Sequence, residues 1–308
     1  MKIGLIGCGY LGKIHAKCIK EIKKIELVGV YDISRKVATE TAEKFNTSAF
    51  FELEALIDHC DVVDIVTPTS THFELAKKAI FAKKHCFIEK PLTATVEEAH
   101  TLIQLAQEHN VVVQVGHVER YNPAFVAALP HISQPLFIDA QRLCKFNLRG
   151  ADVSVVHDLM IHDIDLVLSI MKSEILDIQA IGYHFITDSL DFARAKLQFA
   201  NGGIAHITAS RIAANPSREM VIFHHNNYIS VNFQEKKVEI NEFENGHSFS
   251  TDIPIVERNA IVEELSDFIQ KIQNNKTPKV TIYDGANALC VADKVVNDIL
   301  RQNIKIVK

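Results

Sequence analysis

Apolar runs of four to seven residues alternate with amphipathic stretches through the first third of the chain, and that rhythm predicts its architecture. Ile3–Ile6 and Ile25–Tyr31 are the first two runs. Three more, at Asp61–Val66, His85–Ile88 and Val111–Val115, read as strands buried on both faces. Between them, Thr71–Ala82 and Thr95–His109 repeat apolar residues at helical spacing. Strands and helices in steady alternation predict a doubly wound parallel sheet with crossover helices. Asp61 and Asp64 bracket one of these runs and read as ordinary strand-end acids.

After Tyr121-Asn122-Pro123 the rhythm changes. One helical segment spans about 154–171, and β-like runs follow near 174–187, 190–200, 203–212, 217–224, 227–233 and 236–241. Asn201-Gly202-Gly203 and Asn226-Asn227 read as hairpin turns. Two helices, about 257–273 and 285–301, close the chain on either side of a Pro278 loop. Many strands in succession after a single helix predict a largely antiparallel sheet with helices on one face. The expected fold is therefore α/β in residues 1–120 and α+β in residues 121–308, and a length of 308 residues suits two domains.

The sharpest local signal lies in residues 3–32. The first apolar run ends in Gly7-Cys8-Gly9-Tyr10-Leu11-Gly12, a helix-compatible stretch follows, and the second run is closed by Asp32, 20 residues after the last glycine. Strand, glycine turn, helix, strand and acid form the dinucleotide-binding fingerprint of a Rossmann domain. Gly7 permits the tight turn, Gly9 leaves room for a diphosphate, and Gly12 lets the helix pack closely on the strand. The helix N-terminus offers N–H groups and partial positive charge to phosphates. Asp32 can accept hydrogen bonds from a ribose diol and would repel a 2′-phosphate, so NAD is expected rather than NADP. Arg35 and Lys36 behind it could relax that preference, but they read more simply as solvated charges opening the next helix.

Composition narrows the class. The chain is 47% hydrophobic and 23% charged, with a formal net charge of −5. No basic tract suggests nucleic acid, and the acidic balance argues against an anionic membrane surface. Cysteines 8, 18, 60, 86, 144 and 290 are scattered without a C-x-x-C pair, which fits reduced thiols. Leu5-Ile6-Gly7-Cys8 resembles a lipoprotein cleavage box, yet its apolar stretch is too short for a signal peptide. A cytoplasmic protein is expected.

Two further stretches carry chemistry. Glu89-Lys90-Pro91 follows the strand His85–Ile88, and the carboxyl ends of strands in an open α/β sheet form the ligand crevice. Proline after Lys90 restricts that residue to extended geometry. The other is His157-Asp158-Leu159-Met160-Ile161-His162-Asp163-Ile164-Asp165. On a regular helix Asp158, His162 and Asp165 share one face, a polar stripe on an otherwise apolar segment. His157 and His162 fall on different faces, which disfavours a metal site, and none is expected.

In order, the fingerprint, Thr67-Pro68-Thr69 before His72, Glu89-Lys90-Pro91, Gly116-His117-Val118-Glu119-Arg120-Tyr121-Asn122-Pro123 and Asp158-x-x-x-His162-x-x-Asp165 span the whole chain. That succession resembles the Gfo/Idh/MocA family of nicotinamide-dependent oxidoreductases. The resemblance implies a Rossmann domain followed by a domain whose open sheet often mediates oligomerisation, so a dimer or tetramer is expected. It implies Lys90, Asp158 and His162 as catalytic residues. Gly7, Gly9, Tyr10, Leu11, Gly12, Asp32, Thr67, Pro68, Thr69, His72, Glu89 and Lys90 would line the cofactor. The second motif lacks the commonest family form, and His117-Val118-Glu119 stands where Phe-Asn-Arg is frequent. Both variants resemble a subgroup acting on nucleotide-linked amino sugars.

On that resemblance a hydride would pass from a secondary hydroxyl to NAD, with His162 as base, Lys90 steadying the alkoxide and Asp158 orienting the ring or balancing charge. Arg149, Arg211 and Arg218 could serve a diphosphate, although each also reads as a surface ion-pair residue. Two other readings stay open: a reductase of a non-sugar compound, and a non-catalytic NAD-binding sensor.

Overall fold

The computed structural model describes residues 1–147, 150, 153–245 and 247–306, the last four by backbone alone. Two compact units emerge: residues 1–118 with 259–286, and residues 119–258 with those from 287 onward.

The first unit runs β1 (Lys2–Ile6), α1 (Tyr10–Glu21), β2 (Glu26–Tyr31), α2 (Arg35–Phe45), β3 (Ser48–Phe50), α3 (Leu53–His59), β4 (Val62–Ile65), α4 (His72–Phe81), β5 (His85–Glu89), α5 (Val96–Glu108) and β6 (Val113–Gly116). All strands pair in parallel, in the order β3-β2-β1-β4-β5-β6. The strand order reverses direction between β1 and β4, which places a ligand crevice at their carboxyl ends. Val62–Ile65 is buried at every position, as a strand covered on both faces must be. Helix starts are set locally. Ser34 accepts from the Val37 N–H at α2, and Thr95 with Glu98 makes a reciprocal capping box at α5.

The second unit runs α6 (Pro123–Ala128), β7 (Phe137–Leu143), a short π-helical turn at Val156–Met160, α7 (Ile161–Met171), β8 (Ile175–Tyr183), β9 (Phe192–Phe199), β10 (Ile204–Ser210), β11 (Ser217–Phe223), β12 (Asn227–Asn232), β13 (Lys237–Glu244) and β14 (His247–Asp252). These strands form one sheet, β14-β13-β12-β11-β7-β10-β9-β8. Every neighbouring pair is antiparallel except β7 and β10, which run parallel. Strands β7 and β14 lie outside the runs expected from sequence, and β7 stands inside the sheet. Strand β8 stops at Tyr183 rather than 187 because Asp191 gathers the N–H groups of Phe185, Ile186 and Thr187 into a tight loop. On one face, alternate residues such as Ile138, Leu197, Ile207 and Ile222 form a core with α7 and α9. On the other, His206, Phe137, Phe223, Tyr228 and Phe243 form an aromatic row across five strands, with ring centroids 5.0–6.0 Å apart.

Two helices close the chain, α8 (Ala260–Gln273) and α9 (Ile282–Ile306). Helix α8 returns to the first unit, which a single division near residue 120 does not capture. Its Leu265, Phe268, Ile269 and Ile272 join Ala16, Cys18 and Ile19 of α1 in one core. Phe268 meets Phe87 edge-on, at 5.9 Å. The apolar spacing of α8 says that it must be buried, but not against which unit. Replacing Phe268 by Ala is expected to destabilise the first unit by about 3–5 kcal/mol in urea unfolding. A loss below about 1 kcal/mol would detach α8 from that core.

Candidate active site

The glycine turn does in three dimensions what its spacing demands. Gly7 has φ +97°, and a Cβ there would sit 2.5 Å from the Val66 carbonyl oxygen. At Gly12 a Cβ would fall 1.9 Å from the Gly7 carbonyl oxygen, so helix and strand could not approach as they do. A Cβ on Gly9 would meet nothing within 4 Å: the middle glycine faces open space. Gly9 also caps α1 without a side-chain acceptor, and the first turn contains no acid. Neither a side-chain cap nor an acid competes for the positive end of this helix, which suits an anion, and a diphosphate fits.

Asp32 sits just beyond β2. One carboxylate oxygen accepts the Cys8 N–H at 2.9 Å and the other accepts the Ser34 N–H at 2.9 Å. The acid therefore braces the glycine turn from the neighbouring strand, a task its spacing did not reveal. Tyr10 and Ile33 are strongly exposed beside it, Ile33 at 94%. Leu11 instead packs on the core. Arg35 lies over the Phe51 ring at 5.2 Å and 3.7 Å from Glu52, and Lys36 is 3.9 Å from Glu40. Both are solvated ion pairs. Burial pushes the Cys8 thiol up to about 12, with Asp32 adding to the shift, so it is no nucleophile.

At the ends of β4 and β5, Thr69–Thr71 forms a 3₁₀ turn and His72 opens α4. His72 places Nδ1 2.9 Å from the Pro91 carbonyl oxygen and Nε2 2.9 Å from that of Thr67. Burial lowers its pKa, so the neutral ring donates to one of the two. His72 ties the Thr67–Thr69 loop to the Lys90–Pro91 turn, whose peptide bond is cis. One Glu89 oxygen accepts the Lys90 N–H at 3.2 Å. The other would lie 2.6 Å from a Cβ on Gly116, so glycine there makes room for the carboxylate. Asp64 is not a strand-end acid. It lies inside β4, fully buried, with an oxygen 3.0 Å from Nδ1 of His15. An isolated carboxylate could not be held there.

In the second unit Asp158 lies on the π-helical turn and His162 in the first turn of α7. The wider turn shifts the register by which a regular helix would align Asp158, His162 and Asp165. The acids of the motif are also spoken for. Arg142 reaches both Asp163 oxygens through Nε and Nη2 at 2.9 Å each, and Glu119 through Nη1 at 2.8 Å. Arg120 reaches both oxygens of Asp165 at 2.7 Å each. Asn122 donates to Glu119 and caps α6. Burial would lower the Arg142 pKa, but Asp163 and Glu119 outweigh it and raise it. Burial would raise that of Glu119, but Arg142 holds it below the usual range. For Asp163 burial prevails and the shift is upward; two in-plane bonds from a charged guanidinium still favour the carboxylate.

The remaining candidates scatter. His157 pairs through Nε2 with Asp293 on α9 at 2.7 Å, and among the described residues no group of His, Cys, Asp and Glu is arranged to hold a metal. Arg211 is buried against the Val153 carbonyl and Asp191, not free for a diphosphate. Arg218 is exposed on β11 near Glu119 and Asp163. Arg149 lies outside the described residues. Among those residues, no helix is long and apolar enough to cross a membrane.

A parallel sheet in this strand order, an open glycine turn and a helix start without a side-chain cap define a dinucleotide-binding domain. Residues 1–117 match the model of an oxidoreductase family with an NAD-binding Rossmann fold, and residues 144–230 match the GFO/IDH/MocA C-terminal domain. The chain belongs to the Gfo/Idh/MocA family. It is 38% identical over 281 residues, 88% of each chain, to UDP-N-acetylglucosamine 3-dehydrogenase of Acidithiobacillus ferrooxidans. A solved structure of that dehydrogenase superposes with a TM-score of 0.93, covering 97% of both chains at 36% identity. Myo-inositol 2-dehydrogenase of Thermotoga maritima is 27% identical over 314 residues, 94% of this chain and 93% of that one.

Replacing Asp165 by Ala is expected to cost about 3–5 kcal/mol in chemical denaturation, because it removes both forked bonds of the buried Arg120 charge. Arg120→Met combined with Asp165→Leu should recover most of that loss. Equal stability of the single and double variants would contradict the clamp.

Proposed function

We propose that this oxidoreductase transfers a hydride between NAD and a secondary hydroxyl of a UDP-linked amino sugar. The observation that carries the substrate class is the near full-length kinship to a nucleotide-sugar 3-dehydrogenase, together with Lys90, Asp158 and His162 at the motif positions. The first unit holds the cofactor: its diphosphate at Gly9 and the start of α1, and a ribose diol at Asp32. The carboxylate itself supports NAD over NADP, since it would repel a 2′-phosphate, and Arg35 and Lys36 pair instead with Glu52 and Glu40.

Bound NAD⁺ supplies the hydride acceptor. His162 takes the hydroxyl proton, Lys90 donates to the developing alkoxide oxygen, and Asp158 holds the imidazole or balances its charge. Thr67, Pro68, Thr69 and Glu89 border the cofactor, with His72 as the tie behind them. The clamps on Asp163 and Asp165 hold the helix that presents His162. A panel of UDP-sugars and polyols, read by the absorbance of reduced nicotinamide, tests the substrate class. UDP-sugars are expected to respond, and His162→Asn is expected to lose about 10²–10⁴ in kcat. Less than tenfold sinks its role as base. A flat panel with intact NAD binding would favour a non-catalytic sensor.

The second unit carries substrate binding and self-association, in the cytoplasm. The aromatic row supports association: Phe137, Phe223, Tyr228 and Phe243 line a sheet face outside the core. A second copy of the same face, related by a two-fold axis, would bury it. Light scattering should show a dimer or tetramer, and Phe223→Asp with Phe243→Asp should shift it to the monomer. A monomeric unsubstituted protein would overturn this.

A further inference from the structure

Two buried ionisable side chains in the first unit, His15 and Asp64, have no part in the mechanism above, and they meet Glu89, which borders the cofactor. His15 lies on α1, Asp64 within β4 and Glu89 at the end of β5. The His15 ring is 1% exposed, with Nδ1 3.0 Å from Asp64 Oδ2 and Nε2 3.3 Å from Glu89 Oε1. Phe87 meets the ring edge-on at 5.8 Å and fixes its plane. We propose that His15 is a positioning residue for the cofactor site: by bridging the two carboxylates it fixes Glu89, and with it the Lys90 end of β5, relative to the glycine turn and α1. The proposal rests on the cofactor reading above and extends it to a residue that touches neither cofactor nor substrate.

Nδ1 is hydrogen-bonded to Asp64, whereas Nε2 faces Glu89 at ion-pair distance without a formed hydrogen bond, so only a protonated ring can serve both carboxylates, one by hydrogen bond and one by charge. Burial would lower the His15 pKa, but Asp64 and Glu89 outweigh it and hold it well above the ordinary histidine value. Burial would raise that of Glu89, but His15 keeps it below the usual glutamate range. Asp64, wholly enclosed, is pushed up by burial, which leaves Glu89 the firmer anion of the two.

The tie matters because apolar packing between a helix and a sheet is non-directional, whereas a charged hydrogen bond fixes distance and angle. Glu89 is then held by His15 and by the Lys90 N–H, and the missing side chain at Gly116 leaves room for it. Without the ring, a buried carboxylate loses its counter-charge and must take up a proton or turn away.

Equilibrium titration with NADH, followed by its fluorescence, provides the test for His15→Gln, Glu89→Gln and the double variant. Each single change is expected to weaken binding about tenfold, and the double change no more than the poorer single, because both remove one device. Unchanged affinity in H15Q, or losses that multiply to about a hundredfold, would overturn the proposal. Should H15Q fail to fold, nitrogen NMR of the unsubstituted protein at about pH 8, where an ordinary histidine of pKa ~6.5 is neutral, decides. Two protonated ring nitrogens are expected at His15, and a neutral ring overturns the bridge. The unsubstituted protein's own NADH titration isolates the cofactor reading: no binding there sinks that reading, whereas binding that H15Q matches sinks only the bridge.

Discussion

The guanidinium–carboxylate clamps of the second unit are the constraint on which its working end depends. Arg142 and Arg120 each grip an aspartate on α7 with two bonds, and Arg142 uses its third nitrogen on Glu119. Desolvating so many charges is costly, and hydrophobic residues of equal volume could stabilise the helix as well. What a hydrophobic interface would not supply is a single angular setting. An apolar helix on an apolar sheet face can slide or rotate at little cost; two forked ion pairs allow one position. His162 stands directly before the first of the clamped aspartates in sequence, so these pairs fix the backbone that carries it.

The first unit solves a similar problem with different parts. There the buried charges are an imidazole between two carboxylates, and they connect a helix outside the sheet to two strands within it. In both units acids that look like surface residues in the sequence are internal, and each is found with a partner far along the chain. Asp64 is 49 residues from His15, and Arg120 is 45 from Asp165. The same logic explains Asp32, whose carboxylate holds the glycine turn through the Cys8 N–H while its other oxygen accepts from Ser34 at the start of α2.

Legibility followed the range of the interactions. The Rossmann strands, the glycine turn and its acid could be read because each is set within a few residues or by continuous apolar runs. Strand β7 could not. Its sequence alternates Ile138, Ala140 and Arg142 inward with Asp139 and Gln141 outward, and an inward arginine looks polar until Asp163 and Glu119 are brought to it. The π-helical turn escaped because the spacing of Asp158 and His162 was judged against a regular helix. The roles proposed for Lys90, Asp158 and His162 rest on resemblance to a family, since a lysine before proline and a histidine among acids have commonplace structural meanings.

The return of α8 to the first core has a consequence for how the protein comes into being. Synthesis proceeds from the amino end, so the parallel sheet emerges long before the helix that seals Phe87 and Ile19. While the antiparallel sheet is being translated, the nascent nucleotide-binding half carries an uncovered oily flank. Its maturation therefore waits on residues 260–273, and quality control by chaperones has its natural target in that interval.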